Sequence, residues 1–146
     1  MKKIIPYLFL LLLITNFSFC KIQQYTPKDF PKQQIVFGSG GGITGAVSEY
    51  ALLENGIIFS KQGIQGEFNA LTKADKAITT QLFKNIEVLN LKDVQMNEPG
   101  NRYYYVTLKD KSGEHQIMWS NAEAIPNKVK TFYDILNHIT KSESTN

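Results

Sequence analysis

The chain contains a single cysteine, Cys20, and its position bounds the fold more tightly than any other feature. It closes a segment that opens on Lys2 and Lys3 and runs from Ile4 to Ile14 as an almost unbroken apolar stretch. A basic start followed by an apolar run too short for a comfortable membrane span reads as an export signal. The part that follows is therefore expected in an oxidising compartment, yet it holds no cysteine with which to form an internal disulfide. Its stability has to come from a hydrophobic core.

Residues 1–20 read as a signal peptide of lipoprotein type, with Cys20 as the residue that receives lipid and becomes the mature N-terminus. Phe17-Ser18-Phe19 places a bulky ring just before the cysteine, where lipoprotein signal peptidase usually takes a small residue. The alternative is ordinary cleavage after Cys20, with Ser18 and Cys20 as the small residues of the site. An uncleaved anchor is a third reading. All three put the domain in the cell envelope outside the cytoplasm, and the preferred one anchors it to a membrane through lipid on Cys20.

Without the signal, about 125 residues make one domain that can bury roughly two-thirds of its unfolded surface. The formal net charge of +3 includes Lys2 and Lys3. The exported part is thus nearly neutral, and nucleic-acid binding loses its electrostatic basis.

Residues 21–33 are polar, are interrupted by Pro27 and Pro31, and read as a flexible tether. A single α+β domain is expected over 34–140, with a frayed tail at 141–146. Its first half reads as a β-meander: Gln34 to Phe37, then Val47 to Leu53, then Ile57 to Ser60. Asn55-Gly56 between the last two is a strong hairpin signal, suited to a type I′ turn. Thr72 with Asp75 resembles a capping box, opening a helix with Ala74, Ile78, Leu82, Ile86 and Leu89 on its apolar face. A second hairpin joins Tyr103–Leu108 to His115–Trp119 through Asp110-Lys111-Ser112-Gly113. Pro126 suits the first turn of a last helix carrying Val129, Phe132, Tyr133, Leu136 and Ile139. The sum is βββ-α-ββ-α, an antiparallel sheet of about five strands with two helices packed on one face.

The segment Gly38-Ser39-Gly40-Gly41-Gly42-Ile43-Thr44-Gly45 is the best candidate for a functional surface. Phosphate-binding loops need glycines at a helix N-terminus, whereas these join two β-prone runs and lack the P-loop lysine. Two readings stay open. The cluster is a bulged turn between strands, or it is a loop cleared of side chains so that a protein partner can approach its backbone. His115 and His138 complete no metal-ligand spacing, and Ser39 and Ser60 stand in no nucleophile context. Neither metal, cofactor nor catalysis is expected. Tyr103-Tyr104-Tyr105 on a strand must alternate faces, which leaves one ring for a surface or for packing under a helix, and Trp119 carries the same choice.

Ser39 to Gly45 after an opening strand, Asn101-Arg102-Tyr103-Tyr104-Tyr105-Val106 after a helix, and a terminal apolar helix together resemble the layout of the emfourin family. The resemblance spans about Ile35 to Ile139. It differs in a Gly63 to Phe68 excursion and in Asn101, where an acidic residue would be expected. The whole chain also resembles exported lipoproteins of the Bacteroidetes type, which fits the envelope location. Emfourins are small protein inhibitors of thermolysin-type metallopeptidases, so the resemblance implies a protein-binding module with such a peptidase as partner. Ser39, Gly40, Gly41, Gly42, Gly45, Asn101 and Tyr104 are its expected contact residues. An envelope structural or assembly lipoprotein is the alternative, and a small-ligand carrier or enzyme a lesser one.

Overall fold

Glu54-Asn55-Gly56 sends the chain back on itself as expected, but only Gly56 takes a positive φ, of 86°. The Gly56 N–H donates to the Leu53 carbonyl at 2.9 Å, and the Ile57 N–H to the Asn55 side-chain oxygen at 3.1 Å. The connection is a three-residue loop closed by a left-handed glycine, not a type I′ turn. In the computed structural model, which describes residues 24–141, this loop joins β2 (Ala46–Leu53) to β3 (Ile57–Gln62).

The sheet has six strands in the order β4-β3-β2-β1-β5-β6 and every neighbouring pair is antiparallel. β1 spans Gln34–Gly41, β4 Asn69–Lys73, β5 Arg102–Asp110 and β6 Gly113–Trp119. The sixth strand, β4, lies where the sequence suggests only an excursion before a helix. Gly63, at φ 76°, turns the chain at the end of β3, and the following residues bring it back along β3 as a short, largely exposed edge.

Because the chain stays extended to Lys73, Thr72 pairs with Ile58 instead of capping a helix. Helix α1 is Lys76–Val88, and its cap is Asp75, whose carboxylate accepts from the N–H groups of Ala77 (2.8 Å) and Ile78 (3.2 Å). The shorter Asp side chain suits that role better than the third position of a capping box. Its buried face is Thr79, Leu82 and Ile86, while Ile78, expected on that face, is exposed: stepping by four along Ile78, Leu82 and Ile86 drifts around the helix, and Thr79 lies nearer the buried centre. Thr79 satisfies its hydroxyl on the Asp75 carbonyl at 2.8 Å.

Helix α2, Asn127–Lys141, follows Pro126 and buries Val129, Phe132, Tyr133, Leu136 and Ile139, the full expected stripe. Both helices pack on one sheet face, against Ile35, Phe37, Leu52, Ile58, Val106, Leu108 and Ile117. Leu136 is completely buried. Leu136→Ala is therefore expected to cost about 2 to 5 kcal/mol in urea denaturation, and exposed Lys130→Ala under about 0.5 kcal/mol. Equal midpoints would reject this packing.

The opposite face carries a second cluster built on Val36, Ala51, Leu53, Phe59 and Tyr105. Residues 24–33, expected as tether, lie across part of it. Phe30 packs between Phe59 (ring centroids 4.8 Å apart) and Phe68 (5.4 Å). The Tyr25 hydroxyl donates to Glu54 at 2.8 Å. Two aromatics in a polar, proline-broken stretch show no periodicity, but each buries enough apolar area to hold a short strap down. The signal segment and Cys20 lie outside the described residues, as does the tail from 142 on.

Candidate functional site

The antiparallel ladder gathers one end of the sheet from the β1–β2 turn, the β3–β4 loop, the start of β5 and the finish of β6. Gly41 is registered with both Ala46 and Arg102, Ser48 with Gln62, and Tyr104 with Trp119. The first residue of β1 lies at the other end with the Glu54–Gly56 loop, where Tyr25 of the strap reaches Glu54, while Phe30 packs along the face on Phe59 and Phe68.

Most of the glycine cluster is strand. Gly38, Gly40 and Gly41 belong to β1, and the connection itself is Gly42-Ile43-Thr44-Gly45. The strand glycines make room for their neighbours. A Cβ on Gly40 would stand 2.5 Å from the Tyr103 hydroxyl and 2.6 Å from its ring carbon, because Tyr103, the cross-strand partner, lies over β1. Gly38 faces Glu49 on one neighbouring strand and Tyr105 on the other. With no side chain between them, the Tyr105 hydroxyl reaches across β1 and donates to the Glu49 carboxylate at 2.6 Å. Burial and then this hydrogen bond to an anion push the Tyr105 hydroxyl far above its ordinary pKa. Lys61 completes the bridge, 2.6 Å from the other Glu49 oxygen and 5.1 Å from the centre of the Phe68 ring. The group is internally satisfied and offers neither a free base nor a nucleophile.

At the strand end the backbone takes over. The Gly42 N–H donates to the Asn101 carbonyl at 2.6 Å, and the Gly45 N–H to the Gly42 carbonyl at 3.1 Å. Gly41, Gly42 and Gly45 have φ of 93°, 80° and 60°, a region open to glycine and costly for other residues. Between the last two, Ile43 is fully exposed. Ile64, in the β3–β4 loop at the same end, is 78 % exposed.

The expected contact residues thus come together but divide by role. Gly42, Gly45 and Asn101 form the rim. Ser39 is a half-buried strand residue registered with Ser48 and Tyr104. Gly40 is buried under Tyr103, and Gly41 is half-buried, with room for no side chain against the Asn101 carbonyl. Tyr104 points to the helix side, opposite Tyr103 and Tyr105, and joins an aromatic group with Trp119 (6.1 Å) and Tyr133 (6.0 Å). The Tyr133 hydroxyl, raised in pKa by burial, donates to the Gly38 carbonyl at 3.0 Å and ties α2 to β1. Tyr104 and Trp119 therefore support the end of the sheet from within.

Ile43 and Ile64 are absent from that expected set, although a large apolar residue flanked by turn glycines is itself a signal: a core position seldom lies there. His115 places Nε2 3.0 Å from the Val94 carbonyl, a bracing contact on β6. Among the described residues no three His, Cys, Asp or Glu side chains gather as a metal site, and no helix is long and apolar enough to cross a membrane.

The class these features define is an antiparallel α+β sheet protein with a glycine-bounded apolar turn at one end. Neither a family model nor a curated protein matches the chain.

Proposed function

We propose that the chain is an exported, lipid-anchored protein-binding module that presents the 42–45 turn to a protein partner. The observation that carries this reading is Ile43, fully exposed at the tip of a turn whose backbone is fixed at both ends. Its burial by a partner would return about 1.5 to 3 kcal/mol of hydrophobic free energy, with little ordering left to do. Ile64 at the same end adds a second apolar contact.

The anchoring part of this reading rests on the basic start at Lys2 and Lys3 and on the apolar run from Ile4 that leads to the lone Cys20. The resemblance to emfourins names the partner class as a thermolysin-type metallopeptidase, inhibited by occlusion of its cleft with no chemistry from this chain.

Growth with a clickable fatty acid tests the anchor: label is expected on the wild type and absent from Cys20→Ser, which should move from the membrane to the soluble envelope fraction. An unlabelled wild type would remove the anchor. Titration against a panel of thermolysin-type peptidases tests the partner class, and no inhibition across the panel would remove it.

A further inference from the structure

The strap covers the β3 side of the face opposite the helices and leaves a groove of ≈ 430 Å³ over β1, β5 and β6, within the range of small-molecule sites. Its floor is a cross-strand row of Val36, Thr107 and Gln116, with Gln34 beside it, and the Phe30 and Phe68 rings stand along the strap side. The Gln116 amide donates to the Thr107 hydroxyl at 3.0 Å, and the Gln34 amide to the Pro31 carbonyl at 3.1 Å. These bonds orient both amides and leave their carbonyl oxygens and the Thr107 O–H for a ligand.

Each charged side chain that lines the groove has a partner. Lys109 pairs with Glu114 at 2.8 Å at one end, and Glu49 is held by Lys61 and Tyr105 at the other. An ionic ligand would find no unpaired counter-charge. An extended peptide lying across the floor would find the backbone of β1 and β5 spent in the ladders on both sides; only the outer edge of β6 remains for strand pairing, which the peptide arm of the test probes. Neutral amides and a hydroxyl beside two phenyl rings suit a ligand dense in hydroxyl groups with an apolar ring face. We infer that this groove binds a neutral oligosaccharide.

Phe30 belongs to the strap, so a sugar packed on it would also hold the strap down. Occupancy should then slow tryptic cleavage after Lys28, which is exposed in the Thr26–Asp29 turn.

The test titrates the mature protein, purified in a zwitterionic detergent, with maltotriose, with N,N′,N″-triacetylchitotriose and with an uncharged, end-blocked tripeptide. At least one trisaccharide is expected to bind saturably with a Kd of about 1 mM or tighter and to slow cleavage after Lys28. Gln116→Leu, at an exposed position, should keep the melting temperature and weaken binding at least about tenfold, with loss of the proteolytic protection. Ile43→Asp should leave sugar binding unchanged, which separates this site from the partner-binding turn. No binding of either trisaccharide at about 10 mM, far above that Kd, would overturn the inference. Binding of the peptide alone, or undiminished sugar binding by folded Gln116→Leu, would do so as well.

Discussion

Gly38→Ala is expected to destabilise the protein by about 3 kcal/mol or more, lowering the melting temperature by on the order of 10 °C. Gly38 is buried in β1, an interior strand with neighbours on both sides. An added Cβ would stand 2.2 Å from the Ser48 carbonyl oxygen and 3.1 Å from the Glu49 Cα. Both are backbone atoms of β2, so relief requires parting the ladder. The same shift would disturb the Tyr133 hydroxyl on the Gly38 carbonyl and the Tyr105–Glu49 bridge across it. Gly45→Ala is the control. Its Cβ would meet nothing within 4 Å, and the cost is the roughly 1 kcal/mol of a left-handed alanine. Urea denaturation of the two variants compares a close approach with a dihedral preference. Equal losses would reject the role assigned to the strand glycines.

The second large effect falls on binding. Ile43→Asp should weaken partner affinity by about 100-fold, or roughly 2.7 kcal/mol, and leave stability within about 0.5 kcal/mol. The side chain is fully exposed in the free protein, so the folded state loses no packing. In a complex the substitution both removes apolar burial and forces a carboxylate out of water. Substituting the glycines would not isolate the turn so well. Gly41→Val would drive a Cβ to 2.1 Å from the Asn101 carbonyl oxygen and damage the sheet before it reached a partner. Competition binding with a matched melting curve checks the prediction, and an equal loss in both would reduce Ile43 to a structural residue.

The α+β class, both helices on one face and the order of the strongly patterned elements were legible in the sequence. Each of those segments buries one face and so carries a period. The α2 stripe is the clearest case, with its five apolar positions all buried. β4 was not legible because Asn69-Ala70-Leu71-Thr72-Lys73 is an edge strand, mostly exposed on both faces, which leaves no alternation to read. Missing it moved the start of α1 to Thr72. The strap was hidden for a related reason: Tyr25 and Phe30 act as isolated anchors in a polar stretch.

The residues the sequence named for the candidate site fall together at one end of the sheet, but their division of labour was not legible. Composition cannot distinguish a glycine that admits a neighbour's ring, such as Gly40 under Tyr103, from one that bends a turn, such as Gly45. That difference arises only when β5 is laid beside β1. The alternation of Tyr103, Tyr104 and Tyr105 likewise left a ring open between the surface and a helix, and only register and helix placement put Tyr104 against Trp119 and Tyr133.

Site-specific photo-crosslinking in living cells tests the central claim most directly, with the reactive side chain placed at position 43 and, as control, at exposed position 88 on α1. Partner binding through the turn predicts one discrete protein adduct from position 43, lost when unmodified protein is co-expressed in excess, and no such adduct from position 88. No adduct from position 43, or the same adducts from both positions, would contradict it.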